Sequence, residues 1–144
     1  MPTNTCLNLF SYPNTNNKDR VGQIKHTDTG TLMLLFSRDP GLEIQSPKQG
    51  TWCAVPPVEG HIVVNVCDTL RYLSSDRFYS SIHRVLPVFR EGQQHRHVVG
   101  YFFRAENDAE MRDSDGKTIT VSQWHDQKYN TYKTPESAKN LRLC

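Results

Sequence analysis

His61-Ile62-Val63-Val64-Asn65-Val66 is the segment on which the reading of the fold turns. It is rich in β-branched residues, whose stiff side chains suit a pleated, half-buried surface. On either side of it the same pattern recurs: short apolar runs separated by turn signals. Toward the N-terminus these runs are Trp52 to Val55, stopped by Pro56-Pro57, then Leu42 to Gln45, Thr31 to Phe36, Val21 to Thr27 and Leu7 to Tyr12. Between them lie Ser46 to Gly50, Asp39-Pro40-Gly41 and the Asn-rich residues 14–20, which read as turns and a loop. Toward the C-terminus come Asp68 to Leu73, a short helical turn or strand, then Phe78 to Val88 in an extended context. After the turn at Glu91-Gly92-Gln93-Gln94, Arg96 to Phe103 reads as a last strand. About eight strands with no helices between them predict an all-β fold, a double-stranded β-helix or jelly roll.

Past Ala105 the composition changes. Glu106 to Gly116 is acidic and polar and reads as a surface loop. A helix is expected from about Gln123 to Tyr132, with Ser122 as N-cap and Trp124 as its anchor, before a poorly ordered tail after Pro135. The expected organisation is thus a barrel over residues 1–105 and a C-terminal loop, helix and tail over 106–144.

A chain of 144 residues fits one domain. Its 17 Lys and Arg against 15 Asp and Glu leave a net charge of +2 without any basic stripe, so no nucleic-acid partner is expected. Cys6, Cys53, Cys67 and Cys144 form neither a CxxC knuckle nor a disulfide framework; they read as reduced thiols of a cytoplasmic protein. No apolar run approaches the ~20 residues that cross a bilayer, and Met1 to Pro13 lacks the features of a secretory signal. No membrane partner is implied, and a monomer is the expectation. Because a strand begins almost at once, the chain also reads as the core of a longer protein.

His26-Thr27-Asp28 carries the first chemical signal. Residues i and i+2 of a strand share a face, roughly 6–7 Å apart, and can converge on one cation. His83 lies on a separate extended segment and supplies a second imidazole. Two histidines and a carboxylate on one face of an octahedral iron leave positions free for co-substrate and oxygen. An isolated HxD is a weak motif, since His26 alone reads equally as a surface histidine. His61 reads as an edge or core residue, His95 and His97 as solvated flanks, and Arg84 should point away from His83 because strand neighbours alternate.

The surroundings sharpen this. The stretch from His26 to Phe36, the turn and strand Asp39-Pro40-Gly41-Leu42-Glu43-Ile44, and Trp52 with Val55-Pro56-Pro57 come in one order. Gly60 to Asp68, Ser81-Ile82-His83-Arg84-Val85 and Arg96 to Phe103 follow. Together they resemble the catalytic barrel of the isopenicillin N synthase-like family of 2-oxoglutarate/Fe(II) dioxygenases, over about Leu7 to Ala105.

The resemblance implies a 2-oxoglutarate- and Fe(II)-dependent oxygenase acting with O2 on a small organic molecule, by hydroxylation, desaturation or ring closure, in metabolite biosynthesis. It assigns iron to His26, Asp28 and His83, and the distal carboxylate of 2-oxoglutarate to Arg96, whose planar fork suits a carboxylate. Tyr12 matches a tyrosine that helps hold the same co-substrate, and reads equally as a core aromatic. No catalytic side chain is implied beyond the metal site.

Three positions depart from the family pattern. Val98 stands where the family has a serine, the loss of one hydrogen bond worth ~1–3 kcal/mol. Cys67 replaces a common glycine, and the region ahead of the first strand is short. A truncated, catalytically inactive jelly-roll barrel is the alternative reading. A redox-silent cupin-like enzyme is opposed by Arg96, for which it has no use.

Overall fold

A computed structural model of the chain describes residues 2–13, 22–88 and 90–131. The expected loop at 14–20, the first residue of the expected second strand, the last of the expected helix and the tail lie outside them.

Within the described residues, two four-stranded antiparallel sheets carry the fold. In the first, β1 (Cys6–Pro13), β8 (His95–Phe103), β3 (Leu32–Ser37) and β6 (Val63–Val66) lie side by side in that order. The second runs β2 (Gln23–His26), β7 (His83–Val85), β4 (Leu42–Gln45), β5 (Trp52–Ala54). This is the expected jelly roll with its C-terminal helix. Alternation sets the interior: along β8, Arg96, Val98, Gly100 and Phe102 are buried while His95 and His97 are exposed. Val98 and Phe102 join Met33 and Leu35 from β3 and Leu42 from the opposite sheet in one apolar core. The outer side of the first sheet is apolar too, with Leu9 77% and Val64 57% exposed.

Several boundaries differ from expectation. Asp68–Leu73 is helical (α1), and Cys67 before it is extended at φ −106°, a conformation any side chain adopts, so the turn needs no glycine. The extended stretch around His83 is only three residues long; Leu86 still bonds Gly41 (2.8 Å), but Pro87 has no N–H to continue a ladder.

The expected loop at 106–116 contains a strand. β9 (Glu110–Arg112) pairs with β10 (Thr118–Thr120). Met111 faces Ile119 in that hairpin, and both are buried with Val121 in a second small core. Strands of three residues with one buried position each leave too little alternation to read from sequence.

Helix α2 (Val121–Thr131) starts earlier than expected, and its cap is Thr120 rather than Ser122. Thr120 Oγ1 accepts the Gln123 N–H (3.2 Å) and Gln123 Oε1 accepts the Thr120 N–H (3.0 Å), a reciprocal capping box. Ser122 instead donates its own N–H to the Asn107 carbonyl. Trp124 anchors the helix edge-on against Tyr72, with ring centroids 5.2 Å apart.

Gly30 holds the junction between the metal-ligand candidates and β3. Its φ is +122°, and a Cβ there would lie 2.7 Å from the Phe103 carbonyl oxygen, which accepts the Thr31 N–H. Gly30→Ala should therefore cost about 1–3 kcal/mol of unfolding free energy through backbone strain alone, and more if Phe103 cannot yield. Urea denaturation followed by tryptophan fluorescence checks this; an unchanged midpoint would mean the junction relaxes freely.

Candidate metal centre

His26 and His83 face each other across the β2–β7 ladder because that ladder is irregular. Gln23 pairs with Val85 but His26 pairs with His83, so β2 carries one extra residue between them. A regular ladder continuing from Gln23 would set Lys25 opposite His83 and turn His26 outward; the bulge re-aims it. The ring centroids are 4.2 Å apart. Asp28 lies just beyond the end of β2 rather than on it. There its backbone carbonyl accepts the Asp68 N–H (2.9 Å), a bond to α1 in place of a ladder partner.

All three side chains are buried, and one ligand atom from each lies within 4.8 Å of the others. His26 Nε2 is 3.5 Å from Asp28 Oδ1, and His83 Nε2 is 3.6 Å from Asp28 Oδ2. Ligands at right angles around a cation with bonds of ~2.1 Å stand about 3 Å apart, so a small contraction suffices. Tautomers favour ligation as well. His26 Nδ1 is 2.7 Å from the Ile24 carbonyl and His83 Nδ1 is 3.0 Å from the Ser81 carbonyl. A carbonyl only accepts, so each Nδ1 carries a proton, which leaves Nε2 as the ring atom available to a metal.

Electrostatics point the same way. Burial pushes the Asp28 carboxyl up, but hydrogen bonding to His26, the charges of His83 and His26, and the Asn65 amide (2.9 Å) outweigh it and hold the group below its ordinary value. Burial likewise lowers His83, against the pull of Asp28, so its neutral form is favoured. The donor set is a carboxylate held in its ionised form and two imidazoles, which fits a divalent transition metal.

A cavity of about 40 Å³ joins this trio to Arg96, Tyr12 and Gln23. Arg96 is 5% exposed. Its Nη2 donates to Ser37 Oγ (3.2 Å), while its Nε and Nη1 are buried without a hydrogen-bond partner among the described residues. Burial lowers its pKa, offset in part by Tyr12 and Asp39. A buried guanidinium with unused donors is a receptor for an anion.

Tyr12 is the ladder partner of Arg96, with the guanidinium carbon 5.3 Å from its ring centroid, and its hydroxyl donates to Gln23 Oε1 (3.2 Å). Burial raises its pKa, so the hydroxyl keeps its proton.

Other expectations also find their places. Arg84 points away from the trio, pairing with Glu43 (2.7 Å) over the Trp52 ring. His61, His95 and His97 are exposed. Cys67 is fully buried, and burial first, then the charges of Asp28 and Asp68, push its thiol pKa up. Sequence reasoning missed Asn65, Gln23 and Ser37. Ser37 pairs directly opposite Val98, so a hydroxyl stands beside Arg96 after all, contributed by a neighbouring strand.

The 2OG-Fe(II) oxygenase superfamily model matches residues 3–105. The chain is 42% identical over 143 residues to the 2-oxoglutarate-dependent dioxygenase iboH of Amanita muscaria, covering 97% of this chain and 69% of that protein. It is 44% identical over 130 residues to the oxidoreductase vrtI of Penicillium aethiopicum, covering 90% of this chain but 32% of that one. The chain thus spans from a third to two thirds of the length of these relatives. Among solved structures, a full-length Neurospora crassa protein in complex with alpha-KG and thymine superposes with a TM-score of 0.75 at 26% identity, over 88% of this chain and 44% of the other.

If Arg96 serves an incoming anion rather than the fold, replacing it should cost the ligand-free protein little. Arg96→Met is expected to lower unfolding free energy by less than ~1 kcal/mol, because a buried charge without a full complement of partners is removed. A loss of several kcal/mol in urea denaturation would make the guanidinium a structural strut instead.

Proposed function

Because the chain belongs to the 2OG-Fe(II) oxygenase superfamily, we propose that it uses Fe(II), 2-oxoglutarate and O2 to oxidise a small organic molecule by hydroxylation, desaturation or ring closure. Kinship with the isopenicillin N synthase-like members and a place in metabolite biosynthesis are part of this proposal, supported by the order of motifs from His26 to Phe103. The reading rests on one observation: His26, Asp28 and His83 share a single small cavity with a buried, under-bonded Arg96.

In this reading His26, Asp28 and His83 hold the iron, and Arg96 takes the distal carboxylate of 2-oxoglutarate. When bound, the iron would bring O2, the oxidant, together with 2-oxoglutarate, which would give up two electrons and leave as succinate and CO2. The chain's own residues do the rest. The carbonyls of Ile24 and Ser81 hold a proton on each Nδ1, leaving each Nε2 to the metal. Asn65 fixes the carboxylate rotamer of Asp28. Tyr12 stacks beside Arg96 with its proton retained and donated to Gln23, so no second negative charge faces the co-substrate's carboxylate. Met33, Leu35 and Phe102 line the cavity and keep it dry, which strengthens each of these contacts.

We assign residues 1–105 to the barrel and 106–144 to an appended hairpin, helix and tail. No helix of the described residues is long and apolar enough to cross a membrane. With Cys6, Cys53 and Cys67 all free, a cytoplasmic monomer acting on a diffusible substrate is the setting proposed.

The alternative, a catalytically inactive barrel, draws on Val98, which puts a buried valine where the family has a hydroxyl. Ser37 beside Arg96 counts against it. Anaerobic addition of Fe(II) and then 2-oxoglutarate decides between them: a weak visible charge-transfer band is expected, and its absence at saturating co-substrate favours the inactive barrel. Asp28→Ala should abolish iron-dependent succinate release, measured with the co-substrate alone or with candidate small molecules. Full turnover by that variant would overturn the ligand assignment.

A further inference from the structure

Lys128 lies on α2, well outside the matched barrel residues, yet its side chain is only 11% exposed and turns back toward the metal trio. Its ammonium donates to the Thr27 carbonyl (2.8 Å), to Thr27 Oγ1 (2.7 Å) and to the Asp68 carboxylate. Those three oxygens match its three donors. Thr27 Oγ1 donates to the same carboxylate (2.9 Å), and the Asp68 N–H donates to the Asp28 carbonyl (2.9 Å). Thr27 is the residue between His26 and Asp28. Its backbone carbonyl belongs to the peptide unit that joins Thr27 to Asp28, so its orientation sets where the carboxylate points.

A lysine that merely tethered α2 to the barrel would need Asp68 alone. The additional bond to the Thr27 carbonyl falls on the segment where the chain has left the β2 ladder. We propose that Lys128 is a positioning residue of the metal centre: from the C-terminal helix it fixes the peptide between His26 and Asp28, so that imidazole and carboxylate meet at one point. This rests on the metal reading above and makes α2 part of the metal site rather than an accessory to the barrel. Partners one shell removed from a metal alter its affinity ~10–100-fold when removed, and a loss in that range is expected here.

The test uses Co(II) alone, titrated calorimetrically into the metal-free full chain at a temperature where circular dichroism shows each variant folded. The parent should bind one Co(II), and Lys128→Met should bind it ~10–100-fold more weakly. Lys128→Met leaves Asp68 buried without its cation, so the double variant Lys128→Met/Asp68→Asn separates two causes. If pinning of Thr27 matters, the double variant stays weak and the visible Co(II) spectrum stays shifted from the parent's. If the single variant suffers only from the stranded carboxylate, the double variant regains the parent's affinity and the proposal fails. Equal affinity of parent and Lys128→Met also defeats it, while leaving the metal reading intact; a parent that binds no Co(II) defeats both. Should Lys128→Met not fold, Lys128→Gln, which keeps one donor, takes its place, with a smaller loss expected and no loss again overturning the proposal.

Discussion

The single extra residue in β2 is the constraint on which the site depends. Strand faces alternate with a period of two, so one inserted residue moves everything after it to the opposite side. Here that shift brings His26 inward opposite His83. Everything else in the pocket is arranged around that meeting. The Ile24 and Ser81 carbonyls select the tautomers, Asn65 holds the carboxylate, and the backbone beyond β2 is fastened to α1 and α2 because the ladder no longer holds it. A bulge weakens pairing locally, and the network outside the sheet offsets that weakness.

The opposite wall of the cavity is built on a different logic. Arg96 and Tyr12 are ladder partners on one sheet, whereas the trio belongs to the other sheet and the loop that follows β2. The cavity is therefore a gap between two sheets, one supplying imidazoles and a carboxylate and the other a cation. A ligand with an anionic end and a chelating end is matched by that polarity alone, and the distance between its ends is set by sheet packing rather than by loops. Ser37 opposite Val98 illustrates the same tolerance: a hydroxyl lost from one strand is met by one on its neighbour.

Much of this is legible in the sequence. β-Branched and apolar runs between Pro and Gly turns locate all eight barrel strands, because those features are local. HxD alone is weak, and it is the ordered run of motifs around it that singles out His26, Asp28 and His83. What escapes is whatever depends on pairing. The bulge is a property of two strands together and leaves no mark in Gln23 to His26. The hairpin of Met111 and Ile119 has one buried residue per strand, too few for a period to emerge. Thr120 with Gln123 does carry the S/T-x-x-E/Q cap pattern, but Ser122, two residues on, is an equally good capping residue in isolation and competes with it. Lys128 sits in a polar stretch where a lysine ordinarily means solvent, and its partners Thr27 and Asp68 are remote in sequence.

The burial of Cys67 carries a consequence for the lifetime of such a protein. Chemistry of the proposed kind sheds reactive oxygen species whenever a cycle goes astray, and cysteine is an early casualty. Attack proceeds through the thiolate. Cys67, next to Asp68 and within the field of Asp28, is kept protonated and sealed from solvent. The thiol beside the hazard is thus poorly able to react with it, and among the described cysteines wear should accumulate first at the exposed Cys53 on β5.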